Sequence, residues 1–279
     1  YQIKPDLPFV AGGEAAGFVS EVGRDVTGFK PGDRVAVVGS VGAFAEKILR
    51  KESELIRIPD SMSFDIAAGF CVAYGTAYYA LKQCGNLRKG ESVLVLGAAG
   101  GVGLAAVDLS RALGAKVIAA ASDVNKLAIA ESVGAHDSIR YDRDSLKDRT
   151  RLLTDGNGAD VVFDPVGGDA SEQALRAIAW NGRFLVVGFA AGEIPRLPLN
   201  LPLLKNCSIC GVFFGAWAQR YPDAYVSNFN ELFALFGEGL LHPVVSDSFT
   251  LGDFRGAFAS LSERRATGKV ILRIRDEIQ

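Results

Sequence analysis

Apolar residues arrive along this chain in short runs whose period changes from one stretch to the next. Val93 to Leu96 is a continuous apolar run, β-branched at alternate positions, which predicts a strand buried on both faces. Gly97, Gly100, Gly101 and Gly103 follow, at spacings that let the backbone turn tightly and come into contact with a ligand. From Val102 to Leu113 the apolar spacing is helical, and Gly114 ends it. A second apolar run, Lys116 to Ala121, completes a βαβ unit. The alternation continues through "ADVVFDPVGG", "GRFLVVGF" and "CSICGVFF", which predict strands separated by helices. Residues 74–216 therefore read as an α/β domain with a doubly wound parallel sheet.

The flanks have a different rhythm. Short strands are predicted at Gly17 to Val22 and Arg34 to Val38, around the turn signal "GFKPGDRV". Beyond residue 216 come a helix "FNELFALFGEGLL", a strand "VSDSFTL", a helix "FRGAFASLSERRA" and a strand "KVILRI". These pieces show no βα alternation, so residues 1–73 and 217–279 are expected to form one discontinuous domain.

Composition narrows the partners. Basic and acidic residues are well mixed and the formal net charge is -2, so no nucleic-acid or anionic-membrane surface is indicated. No apolar run approaches the roughly 20 residues that cross a bilayer, and no signal-peptide pattern opens the chain. Cys71, Cys84, Cys207 and Cys210 lack the spacing of a disulfide framework, which favours a reducing compartment such as the cytoplasm or the mitochondrial matrix. The chain opens at Tyr1 and its single methionine is Met62, so it reads either as a fragment or as a sequence whose beginning was not recorded.

The glycine turn is informative because of its setting. A helix starting at such a turn directs unpaired N–H groups and the positive end of its dipole at whatever the turn holds, which suits a pyrophosphate. Set between a strand and a helix and followed by a second strand, it is a dinucleotide fingerprint. An acid at the tip of the second strand would accept hydrogen bonds from both ribose hydroxyls and repel a 2′-phosphate. Here the tip reads "AAASDVNK", with Ala121 and Ser122 where that acid is expected and Asp123 one or two positions late. Asp123 reads better as the N-cap of the helix that Val124 opens.

Six ordered stretches, "FVAGGEAAGFVSEVG", "FKPGDRV", "AAGFCVAYGTAYYAL", "VLVLGAAGGVG", "VFDPVGG" and "GKVILRI", give the chain a resemblance over nearly its whole length to the zinc-free quinone oxidoreductases of the medium-chain dehydrogenase/reductase superfamily, the ζ-crystallin type. The resemblance implies a Rossmann-type domain inserted in a mostly β, GroES-like catalytic domain that lacks its first strands here, with the active site in the cleft between them. It implies NADPH bound on Gly97, Gly100, Gly101, Val102 and Gly103, with Ser122, Lys126, Tyr141 and Arg265 reaching the 2′-phosphate. Thr76, Gly188, Phe189, Phe213 and Phe214 would stand at the nicotinamide, although the phenylalanines are equally compatible with core packing. Tyr1 would donate a hydrogen bond to the substrate.

Zinc relatives carry a histidine before the glutamate of the segment matching "AGGEAAG" and a cysteine a few residues before the "YG" pair. Those positions here are Gly13 and Ala68, neither of which can ligate metal. Cys207 and Cys210 form a C-x-x-C without a second ligand pair and read as buried small residues on opposite faces of a strand, while His136 and His242 read as surface or satisfied residues. The expected activity is metal-free hydride transfer from NADPH to a quinone or conjugated carbonyl in a homodimer joined through the edge strand "CSICGVFF". Reduction of 2-enoyl thioesters, or a ζ-crystallin-like structural or RNA-binding role, is the alternative.

Overall fold

The computed structural model describes residues 4–39 and 41–274. Three strands come first, β1 (Glu14–Phe18), β2 (Arg34–Val38) and β3 (Leu55–Arg57), followed by helix α1 (Phe64–Tyr78), which runs on as a π-helical turn over Tyr79–Cys84. Strands and helices then alternate: β4 (Ser92–Leu96), α2 (Gly101–Ala112), β5 (Lys116–Ala121), α3 (Val124–Val133), β6 (Asp137–Arg140), α4 (Leu146–Leu153), β7 (Ala159–Asp164), α5 (Gly168–Arg176), β8 (Ile178–Val186), α6 (Asn200–Lys205) and β9 (Ser208–Gly211). Helices α7 (Phe214–Arg220) and α8 (Pro222–Gly237), strand β10 (Val245–Thr250), helix α9 (Phe254–Ser262) and strand β11 (Lys269–Arg273) follow among the described residues. No described helix is long and apolar enough to cross a membrane.

The described residues divide into two compact units, 4–73 with 244–274, and 74–243. In the first, β1, β2 and β3 form an antiparallel sheet, and β10 pairs with β11 in parallel. Strand β1 lies three residues earlier than the sequence pattern suggests. Its ladder with β2 is set by the turn at "KPGD", where Gly32 has φ +91° and donates its N–H to the Val19 carbonyl. Glu14 accepts a hydrogen bond from the Val72 backbone at 3.1 Å and pairs with Lys269, tying β1 to α1 and β11.

The second unit holds a six-stranded parallel sheet in the order β6-β5-β4-β7-β8-β9. This is a Rossmann-type doubly wound sheet, with its strand order reversing between β4 and β7. Side chains alternate along each strand, so Leu94 and Leu96, Ile118 and Ala120, Val162 and Phe184 meet on one face with Leu146, Ala174 and Leu175 from the helices. Each large aliphatic buried this fully contributes about 1.5 to 3 kcal/mol. The stretch "CSICGVFF" is not one strand: β9 ends at Gly211, and Phe214 begins α7.

Residues 217–243, assigned by their pattern to the discontinuous domain, cluster with the second unit instead. The reason is aromatic. Phe214 packs tilted on Tyr225 and Tyr225 edge-on to Phe229, at 5.8 and 4.9 Å between ring centroids, and Trp217 stacks on Tyr79 at 4.5 Å. Gln83 donates to Asn228 at 2.8 Å, and Tyr78 hydrogen-bonds Glu231. A buried carboxylate adds to this. Asp108 on α2, with no exposed surface, accepts from the Tyr74 hydroxyl at 2.7 Å, from Arg111 at 2.9 Å and from the His242 backbone N–H. Burial, and then the Asp108 charge, pushes the Tyr74 phenol far above its ordinary range, so it stays protonated as the donor.

Candidate functional site

The site is built at the carboxyl ends of β4 and β7, where the sheet order reverses. Gly97 leaves β4 with φ +56°, and a Cβ there would stand 2.7 Å from Val166 Cγ2. At Gly103 a Cβ would lie 2.2 Å from the Gly97 carbonyl oxygen and 3.0 Å from Ala98 Cα, so the first turn of α2 rests directly on the backbone that ends β4. The N-cap of α2 is Gly100, and no side chain caps the helix. By contrast α3 and α4 are capped by Asp123 and Ser145. The sequence thus leaves the N-terminal donors of α2 without a side-chain acceptor, the local arrangement that receives an anion.

The tip of β5 supplies the second part. Asp123 Oδ1 accepts from the backbone N–H of Asn125 at 2.8 Å and of Lys126 at 3.2 Å, as its reading as an N-cap requires. Ser122 is exposed immediately before it, and Lys126 lies half-buried in the first turn of α3. The Tyr141 N–H donates to the Ala121 carbonyl at 3.2 Å, and Arg140 is the register partner of Ala121. Ser122, Lys126 and Tyr141 are therefore gathered at one strand end, where the acid of the strand tip is already engaged by backbone donors.

Asp164, in "VFDPVGG", is a residue that its local pattern alone does not assign to the site, and it organises the third part. Its buried carboxylate accepts from the backbone of Val166 at 2.8 Å and of Gly167 at 2.9 Å and from the Ser171 hydroxyl. Its carbonyl receives Gly188 N–H at 3.2 Å, and the loops after β7 and β8 are joined further by Ala190 to Pro165 and Ala191 to Val166. Phe189 packs on Gly167, and Val166 touches Gly97, so Gly188 and Phe189 share one rim with the glycine turn. An acid ending an apolar strand just before Pro-Val-Gly-Gly is the signal that would have found Asp164.

The remaining candidates separate. Thr76 is buried on α1, Phe213 is exposed, and Phe214 is core: its ring occupies the space that a Cβ on Gly75 would need. Arg265 belongs to the first unit, exposed and paired with Glu263 at 2.7 Å. Tyr1 lies outside the described residues. His136 is satisfied by the Val117 N–H at 3.1 Å. Cys207 and Cys210 are free and half-buried rather than buried; Cys207 packs against the core cluster while Cys210 pairs in register with Leu185. Among the described residues, no three or more of His, Cys, Asp and Glu gather in a way that could hold a metal ion.

Residues 101–231 match the family described as zinc-binding dehydrogenase, and residues 1–60 match the alcohol dehydrogenase GroES-like domain. The chain is 46% identical to the quinone oxidoreductase-like protein 2 homolog of Nematostella vectensis, over 98% of this chain and 75% of that protein. With quinone oxidoreductase-like protein 2 of Mus musculus the identity is 40%, over 99% and 79%. Among solved structures, Escherichia coli quinone oxidoreductase complexed with NADPH matches with a TM-score of 0.88 and 30% identity, over 97% of this chain and 84% of that chain.

The contact beneath the turn can be tested directly. Gly103→Ala forces a methyl group against immovable backbone and should lower stability by about 1 to 3 kcal/mol. Gly100→Ala, where the nearest atom would be 3.4 Å away, should change stability by no more than roughly 0.5 kcal/mol. Urea denaturation of the two variants separates them; equal midpoints would mean that α2 does not rest on β4 through this glycine.

Proposed function

Since the chain belongs to the quinone oxidoreductase family of the medium-chain dehydrogenase/reductases, we propose that it is an NADPH-dependent enzyme delivering hydride to quinones or conjugated carbonyls without a metal ion. The observation that carries the cofactor choice is the tip of β5: Asp123 lies past the strand end and turns its Oδ1 to two backbone donors of α3, and Ser122 precedes it while Lys126 follows in the first turn of the helix. The acid that would accept from both ribose hydroxyls is replaced at the strand tip by Ala121 and Ser122, while serine, lysine and tyrosine donors suit a 2′-phosphate.

Bound NADPH supplies the hydride. The uncapped first turn of α2 would receive its pyrophosphate, with Gly97, Gly100, Gly101, Val102 and Gly103 giving the backbone room for close approach. Ser122, Lys126 and Tyr141, with Arg265 in addition, would hold the 2′-phosphate. Thr76, Gly188, Phe189 and Phe213 would orient the nicotinamide, and the Tyr1 hydroxyl would donate a hydrogen bond to the substrate oxygen. Gly13 and Ala68 offer no metal ligand, which suits a substrate whose own conjugation spreads the developing charge and needs mainly orientation. The apolar edge strand β9 would pair two copies of the chain, Ile209 being 38% exposed there.

Three outcomes are expected. Lys126→Ala loses roughly tenfold or more in NADPH affinity and little in NADH affinity, since a charge-assisted phosphate contact contributes about 1.5 to 3 kcal/mol; equal losses would refute the assignment. NADPH consumption with an ortho-quinone survives exhaustive chelation, and ethanol is not oxidised with NADP; activity lost on chelation and restored by zinc would overturn the metal-free reading, and preference for a 2-enoyl thioester would move the substrate class. Sedimentation at micromolar concentration gives a dimer, and a monomer alone would exclude pairing through β9.

A further inference from the structure

Two of the four free thiols converge where the π-helical turn after α1 meets the edge of the parallel sheet. Cys84 Sγ lies 4.0 Å from the carbonyl oxygen of Gly211, the residue next to Cys210. The register of β8 and β9 sets Cys210 opposite Leu185, so their side chains stand on the same face of the sheet. That face is the one the turn covers: a Cβ on Gly85 would lie 3.3 Å from Leu185 Cδ1, and Arg183 donates from Nε to the Gly85 carbonyl. Cys210 Sγ also approaches Ser208 Oγ at 3.7 Å, two residues back on the same side. Cys207 packs instead with the core cluster on the other face. Pairing of β9 edges between two chains would engage backbone groups and leave this face as it is.

We propose that Cys84 and Cys210 are a thiol pair which peroxide closes to an intrachain disulfide, fastening the end of the first helix to the edge strand. Cys210 attacks first as thiolate: its sulfur bonds one peroxide oxygen, the O–O bond breaks, and the departing hydroxide takes up a proton as water. Cys84 then attacks the resulting sulfenic sulfur and gives up its thiol proton as it does; the S–S bond forms, the S–O bond breaks, and the departing hydroxide takes up that proton as a second water. Two thiols and one hydrogen peroxide give one disulfide and two waters, the two electrons passing from sulfur to peroxide. The surroundings suit this order. Burial first, and then the neighbouring Cys210, raise the Cys84 thiol, while a hydrogen bond with Tyr79 works the other way. Tyr79 itself is pushed up to about 12, chiefly by burial and then by that bond, so it remains protonated.

Treating the reduced full chain with equimolar hydrogen peroxide should lower the thiols titrated in denaturant from four to two. Peptide mapping without reductant should then yield one new species joining the segments of Cys84 and Cys210, lighter than their sum by two hydrogens and abolished by dithiothreitol. Cys207→Ser should keep that species. Cys84→Ser should lose it and leave Cys210 as a sulfenic acid trapped by dimedone; should this variant fail to fold, the map of the unaltered chain decides alone. Iodoacetamide capping both residues after peroxide, a link to Cys207, or a link between two chains would overturn the proposal.

Discussion

The cofactor half of this chain depends on one contact between backbones: the first turn of α2 lying on the carbonyl that ends β4. Only a residue without Cβ permits it at position 103, where an added methyl would meet the Gly97 oxygen at 2.2 Å. Because β4 sits between β5 and β7, the position of α2 is passed outward to both neighbours. On one side Ala98 bonds the end of β5 through Ala120; on the other Gly97 leans on Val166, whose loop is held by Asp164. A change at that contact would shift a helix terminus and two strand ends together, since a packed interior transmits strain instead of absorbing it.

Two aspartates illustrate how placement decides what a carboxylate does. Asp123 ends on backbone donors of its own helix, and Asp164 gathers the N–H groups of the next turn. Both satisfy donors that would otherwise need water or a ligand. Helix α2, which starts at the glycine turn, has no such group, so its N-terminal donors are left for an incoming anion to take the cap's place.

Much of this arrangement is legible in the residues because it rests on local rules. The run Val93 to Leu96, the turn at Gly97, the close approach at Gly103, the cap at Asp123 and the limits of β5 follow from burial on both faces, positive φ, the absence of a Cβ and side-chain-to-backbone bonding within three residues. What escaped rests on partners distant in sequence. Phe214 becomes core because Gly75, 139 positions earlier, leaves space for its ring, and no local pattern records that vacancy. Strand β6, "DSIR", has a single fully buried residue, Ile139, and too little apolar signal to mark it. Helix α8 is amphipathic by itself, but the unit it joins is settled by Tyr78 and Gln83 on α1 and its continuation.

The Asp108 network gives the second unit a property of inserted modules. The unit begins at Tyr74 and ends at Pro243, and the Tyr74 hydroxyl and the His242 backbone N–H both donate to one oxygen of Asp108. Entry and exit of the chain are thus stitched together across the width of a carboxylate. A host fold needs to open at only one point to carry some 170 residues of guest, and the guest brings its own clasp. Such a module can be exchanged, lengthened or circularly permuted with its closed ends intact, because adjacency of the termini is fixed inside the module and asks nothing of the surroundings.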